Sequence, residues 1–157
     1  MEQARLEGII RHWGVSNFDT EDRKDLPAVL HGEMCFCSQI FCSIYERGAE
    51  YELLPHMKEN HFLPMSYSSL RSDCQPHPDV HRNTAVRRFC DEYGYEPETL
   101  MRRRNVDMGF CTLFQTCSLD HLHINLRDVP DEVEARFRAI IDREFPAPDY
   151  KYPLVKI

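Results

Sequence analysis

Seven cysteines and eight histidines stand in this chain, and all but His12, His56 and His61 gather in three successive patches. His31, Cys35, Cys37 and Cys42 form the first, Cys74, His77, His81 and Cys90 the second, and Cys111, Cys117, His121 and His123 the third. Thiolate and imidazole are the side chains that best bind zinc, and four of them around one ion can replace core that a small region lacks. In the second patch Cys74 and His77 are spaced to chelate from one turn, with His81 and Cys90 closing the site; a loop with exposed histidines and a core cysteine is the alternative. In the third patch, strand alternation would set His121 and His123 on one face, near Cys111 and Cys117. Two cysteines and two histidines close a structural zinc site, whereas two histidines and a water leave an open, catalytic one. Polar residues on the exposed face of a hairpin would carry the same pattern.

The elements that would position these ligands are read from periodicity. Leu6, Ile9, Ile10 and Trp13 follow one helical face, and Gly14 stands where a C-cap belongs. Between Glu33 and Arg47 the apolar residues come in pairs, which favours a helix slightly over a buried strand. Residues 55–83, with Pro55, Pro64, Pro76 and Pro78, read as irregular. A helix capped by Asn83 runs to Gly94 with Val86, Phe89, Cys90 and Tyr93 on one face, and a second follows Glu96-Pro97. Strands are expected at 108–116 and 121–126, paired as a hairpin through Cys117-Ser118-Leu119-Asp120. The last helix opens after Pro130 with Asp131 and Glu132 in its first turn, and Val133, Phe137, Ile140 and Ile141 make its stripe. A short strand over 152–157 would complete the sheet. The expected fold is a single α+β domain over 1–157, with four or five helices and a small, mostly antiparallel sheet formed by the C-terminal half.

Composition is that of a globular protein, 42% hydrophobic and 29% charged over 157 residues, with a formal charge of −7 that counts against nucleic acid as the main partner. No apolar run reaches the length needed to cross a bilayer and the N-terminus has no signal-peptide character, so a cytoplasmic or nuclear protein that is not secreted is expected, its thiols unpaired.

Residues 84–104 resemble the helix-turn-helix DNA-binding motif, with small Cys90, turn glycine Gly94 and Leu100 in the second helix. That resemblance implies a contact surface at Arg102, Arg103 and Arg104 for nucleic acid or for an acidic protein partner. His121-Leu122-His123 looks like the metal-binding motif of the HUH endonucleases, which implies a divalent ion and a tyrosine nucleophile, Tyr150 or Tyr152. The histidine-triad nucleotide-binding pattern breaks at Asn125. The expected function is a zinc-stapled recognition or regulatory protein. Its alternatives are a metal-dependent hydrolase or phosphodiesterase using His121 and His123, and a metal-free protein-interaction domain.

Overall fold

The computed structural model describes residues 1–22, 35–70 and 80–147. Its centre is a sheet of four strands in the order β1-β2-β3-β4: β1 Trp13–Ser16, β2 Cys35–Phe41, β3 Leu63–Tyr67 and β4 Cys111–Thr112. Every pairing is parallel, with Gly14 beside Cys37, Cys37 beside Leu63 and Met65 beside Cys111. Parallel neighbours need a crossover, and helices supply it between β2 and β3 and between β3 and β4. Among the described residues there are seven α-helices: α1 Glu2–Leu6, α2 Gly48–Tyr51, α3 Leu53–Glu59, α4 Thr84–Tyr93, α5 Pro97–Met108, α6 Leu119–Leu126 and α7 Asp131–Glu144. The expected antiparallel α+β arrangement is therefore wrong, and the chain has a β/α fold.

The corrections have local causes. The stripe from Leu6 to Trp13 is accidental: α1 ends at Leu6, Leu6 and Ile9 stay 67% and 71% exposed, and Trp13 is buried at the start of β1. Gly14 is a strand residue, not a cap. A Cβ there would lie 2.4 Å from Cys37 Sγ and 2.5 Å from Cys37 O, so the close approach of β1 and β2 requires glycine. Of the stretch between Glu33 and Arg47, Cys35–Phe41 is a strand rather than a helix, with Cys37, Gln39 and Phe41 half-buried in alternation with buried Ser38 and Ile40, while Ile44 and Tyr45 lie beyond it. Within the stretch read as irregular lie α3 and β3. Residues 108–116 hold the end of α5 and only the two residues of β4, and 121–126 belong to helix α6, so no hairpin forms. The strand expected at 152–157 lies outside the described residues.

Ile40 and, just past the end of β2, Cys42 face α2 and α3, where they pack with Ala49, Leu53, Leu54, Met57 and Phe110. A second cluster joins α4, α5 and α7 through Val86, Phe89, Leu100, Met101, Phe137 and Ile141. Burying these side chains stabilises each by about 1.5–3 kcal/mol relative to exposure. The opposite sheet face, carrying Gly14, Ser16, Cys37, Gln39, Leu63, Met65, Tyr67 and Cys111, is exposed or half-buried along its length.

Candidate functional site

In β/α folds the strands' C-terminal ends gather the chemistry, because the loops leaving them are free to vary while the sheet holds them in place. Here β1 runs into Asn17 and β3 into Ser68, and both take left-handed backbone, at φ 60° and 51°. Such conformations in residues other than glycine cost roughly 1–3 kcal/mol and cluster where a side chain must be aimed. A third, His61 at φ 58°, precedes β3 at the other edge.

Backbone bonds fix these ends: Asn17 N donates to Gln39 O at 2.9 Å, Cys42 N to Tyr67 O at 3.4 Å, and Leu113 N to Ser66 O at 2.8 Å. Tyr67 Oη donates to Asn17 Oδ1 at 2.8 Å. Its ring lies 5.8 Å from that of Phe41, tilted by 34°. Tyr67 thus reaches from the end of β3 past Phe41 of β2 to the end of β1, on the sheet face that also carries Ser16 and Gln39. Beneath the sheet Ser69 Oγ donates to Ser66 Oγ and Ser66 Oγ to Thr112 Oγ1, each at 3.3 Å, while Asn105 Nδ2 reaches Cys42 O at 3.3 Å.

A buried ion cluster braces this edge from behind. Glu50 accepts from Arg47 at 3.0 Å and from Arg104 at 2.7 Å, and Arg47 also donates to Asp142 and to Phe145 O, each at 2.6 Å. Burial works against the Arg47 charge, yet its bonds to Glu50 and Asp142 outweigh it and hold the guanidinium above its ordinary pKa.

Past β4 the chain forms a second feature, an open pocket of about 460 Å³ lined by Phe114, Gln115, Thr116, Cys117, Ser118, Leu119 and Leu122. Ser118 caps α6, its side chain accepting from His121 N at 3.3 Å, and Ser118 N donates to Thr116 Oγ1 at 3.1 Å. Asn125 is buried; its Nδ2 donates to His121 O at 2.8 Å, and its Oδ1 has no hydrogen-bond partner among the described residues.

The residues singled out from sequence are dispersed. Cys111 is exposed on β4 and Cys117 in the pocket loop. His121 and His123, two apart on a helix rather than a strand, point about 200° apart and cannot share an ion. His81 Nε2 lies 3.2 Å from Glu98 Oε1. Cys90 is packed in the α4 core, where burial, followed by the nearby acids, pushes its thiol up to about 11. Cys35 is buried at the head of β2; Cys74, His77 and His31 lie outside the described residues. Among the described residues no three His, Cys, Asp or Glu side chains converge on a metal position, which removes zinc as the staple and the metal-dependent hydrolase with it.

The helix-turn-helix reading fails as well. α4 and α5 do meet at Gly94, which is left-handed at φ 68°, but α5 is an interior helix. Arg104 is 1% exposed on Glu50, Arg103 pairs with Asp107 and Asp131, and Arg102 donates to Arg127 O. Ser16, Asn17, Gln39, Tyr67 and Ser68 escaped notice. Their signal was small polar residues closing two short β-type runs, Trp13-Gly14-Val15-Ser16-Asn17 and Met65-Ser66-Tyr67-Ser68.

Comparison with known proteins agrees with this architecture. A model of the aldo/keto reductase family matches residues 1–126. The methylglyoxal reductase YeaE of Escherichia coli (strain K12) is 26% identical over 155 residues, 98% of this chain and 55% of its own length. An aldo/keto reductase from Klebsiella pneumoniae, solved in complex with NADP and acetate, covers the whole chain at a TM-score of 0.81 and 27% identity, with 56% of its own length matched. Another, from the same organism and bound to NADPH, gives 0.80 and 26%, again over 100% of this chain and 56% of its own length. The chain spans about half the length of these relatives.

Proposed function

The chain belongs to the aldo/keto reductase family, and from that premise we propose that it binds a nicotinamide dinucleotide along the C-terminal ends of β1–β4 in the service of carbonyl reduction. The observation that carries this reading is the cluster of Ser16, Asn17, Gln39 and Tyr67 where the uncovered sheet face meets that edge. The residues present fit the group. Tyr67, tied to Asn17 and resting near Phe41, gives a flat ring a surface to stack on. The amide of Gln39 complements a carboxamide, offering both donor and acceptor.

When bound, such a dinucleotide supplies the hydride. The chain's own contribution is to hold the cofactor ring in place: Tyr67 excludes water from one side, and the Asn17 N to Gln39 O bond keeps β1 and β2 in register beneath it. The E. coli relative's name makes a small dicarbonyl a natural first substrate to try. The six free cysteines among the described residues support a reducing compartment such as the cytoplasm.

Titrating the protein with NADH and with NADPH, followed by cofactor fluorescence and calorimetry, tests the reading. Saturable binding is expected, weakened by about tenfold or more in Tyr67→Ala through lost stacking and the lost tether to Asn17. Failure of both cofactors to bind a folded protein would reject it.

A further inference from the structure

We propose that the open sheet face and the two outer sheet edges form the interface between two copies of this chain, which together close one ring of parallel strands. The inference stands beside the cofactor reading and does not depend on it. Among the described residues β1 and β4 each pair with a single strand, so the first and last strands both lack a strand neighbour on their outer side. Such edges are rows of backbone donors and acceptors that act as templates for a further strand. Every pairing in the sheet is parallel. A two-fold axis along the strands preserves that direction and sets β1 of one copy beside β4 of the other at two equivalent junctions. The combined order, β1-β2-β3-β4 followed by the same four strands of the second copy, has no free edge. About eight strands is also the number at which a parallel ring is just filled by its own inward side chains.

The face that turns inward suits a second copy. Its side chains, among them Cys37, Phe41, Leu63, Met65 and Cys111, are exposed or half-buried, and none that the four strands place there is charged. That neutrality matters, because a formal charge of −7 makes two copies repel wherever their acids meet. Parallel sheets are ordinarily covered on both faces, and here the chain's own α2 and α3 pack on the opposite one. Exposed apolar side chains also border both edges, Leu6 and Ile9 shortly before β1 and Val106 shortly before β4. Parallel pairing of β1 with β4 brings those two ends together. The solved Klebsiella neighbours are matched over 56% of their own length, so each holds nearly as much chain again beyond the part that resembles this sheet and its helices. A second copy supplies a matching half whose edges are already complementary to these.

Sedimentation equilibrium over a micromolar dilution series tests the proposal. Wild-type protein is expected at twice the 18.6 kDa mass of the chain. Met65→Glu, which puts a carboxylate on the inward face, should halve that mass, and Leu63→Glu gives the same reading should the first variant misfold, as circular dichroism would show. Hydrogen exchange locates the contact: the amides of β1 and β4 should exchange about tenfold or more slowly in wild type than in the folded monomeric variant. A wild-type chain that sediments as a monomer, or as an open series of larger species, would overturn the proposal. So would a dimer that survives both substitutions in folded protein, with exchange at β1 and β4 unchanged, since its contact would lie on another face.

Discussion

At the scale of single residues, the structure assigns unequal importance to side chains of the same type. Cys90 and Cys42 are sealed in the core and burial raises both thiols, while Cys111 and Cys117 are exposed. Because the thiolate is the reactive form, iodoacetamide at pH 8 should label Cys111 and Cys117 and spare Cys42 and Cys90, as peptide mass spectrometry would show. Labelling of Cys90 in folded protein at rates near those of Cys111 would contradict the packing. Glu50 is the common acceptor of two buried guanidinium groups, so Glu50→Gln should destabilise by about 3–5 kcal/mol in urea unfolding, more than the loss of any exposed pair. Ser68→Gly should raise stability by about 1 kcal/mol by relieving the left-handed backbone, yet weaken cofactor binding if that strain aims Tyr67. The cysteine and histidine patches were legible as residue types but not as neighbours. Spacing in sequence does not reveal that His121 and His123 ride on a helix, which turns them apart.

At the scale of elements, legibility followed length and capping. α4 and α7 were readable because each has a long apolar stripe and a clear start: Asn83 Oδ1 accepts from Ala85 N and Val86 N, and Pro130 precedes three acids. Asn83→Ala should cost about 1 kcal/mol, seen as a lower thermal midpoint. β1 was not readable, since a strand of four residues carries too little pattern and exists by pairing with β2, whereas β4 is the two-residue remnant of the strand expected over 108–116. α6 deceived through Leu122, Ile124 and Leu126, whose alternation imitates a strand. Its helical state is set by the Ser118 cap and by packing on α5, where Thr99 Oγ1 donates to Ile124 O at 2.7 Å. The polar ends of β1 and β3 looked like ordinary loop residues, because only the parallel order of the sheet brings Asn17 and Tyr67 together.

At the scale of the whole molecule, helices cover one face of the parallel sheet, and the other face is exposed or half-buried among the described residues. The candidate residues lie where that bare face meets the strands' C-terminal edge. Among the described residues cohesion comes from apolar clusters and the Arg47–Glu50–Arg104 group and no metal cluster forms, so dialysis against a strong chelator should leave the circular dichroism spectrum and unfolding midpoint unchanged. No helix among the described residues is long and apolar enough to cross a membrane. The most direct test of the central claim is hydrogen–deuterium exchange with and without saturating nicotinamide dinucleotide. Slower exchange confined to residues 14–18, 65–69 and 113–120 is the predicted result. Unchanged exchange there, or protection on α4 and α5 instead, would contradict a dinucleotide site at the C-terminal edge of the sheet.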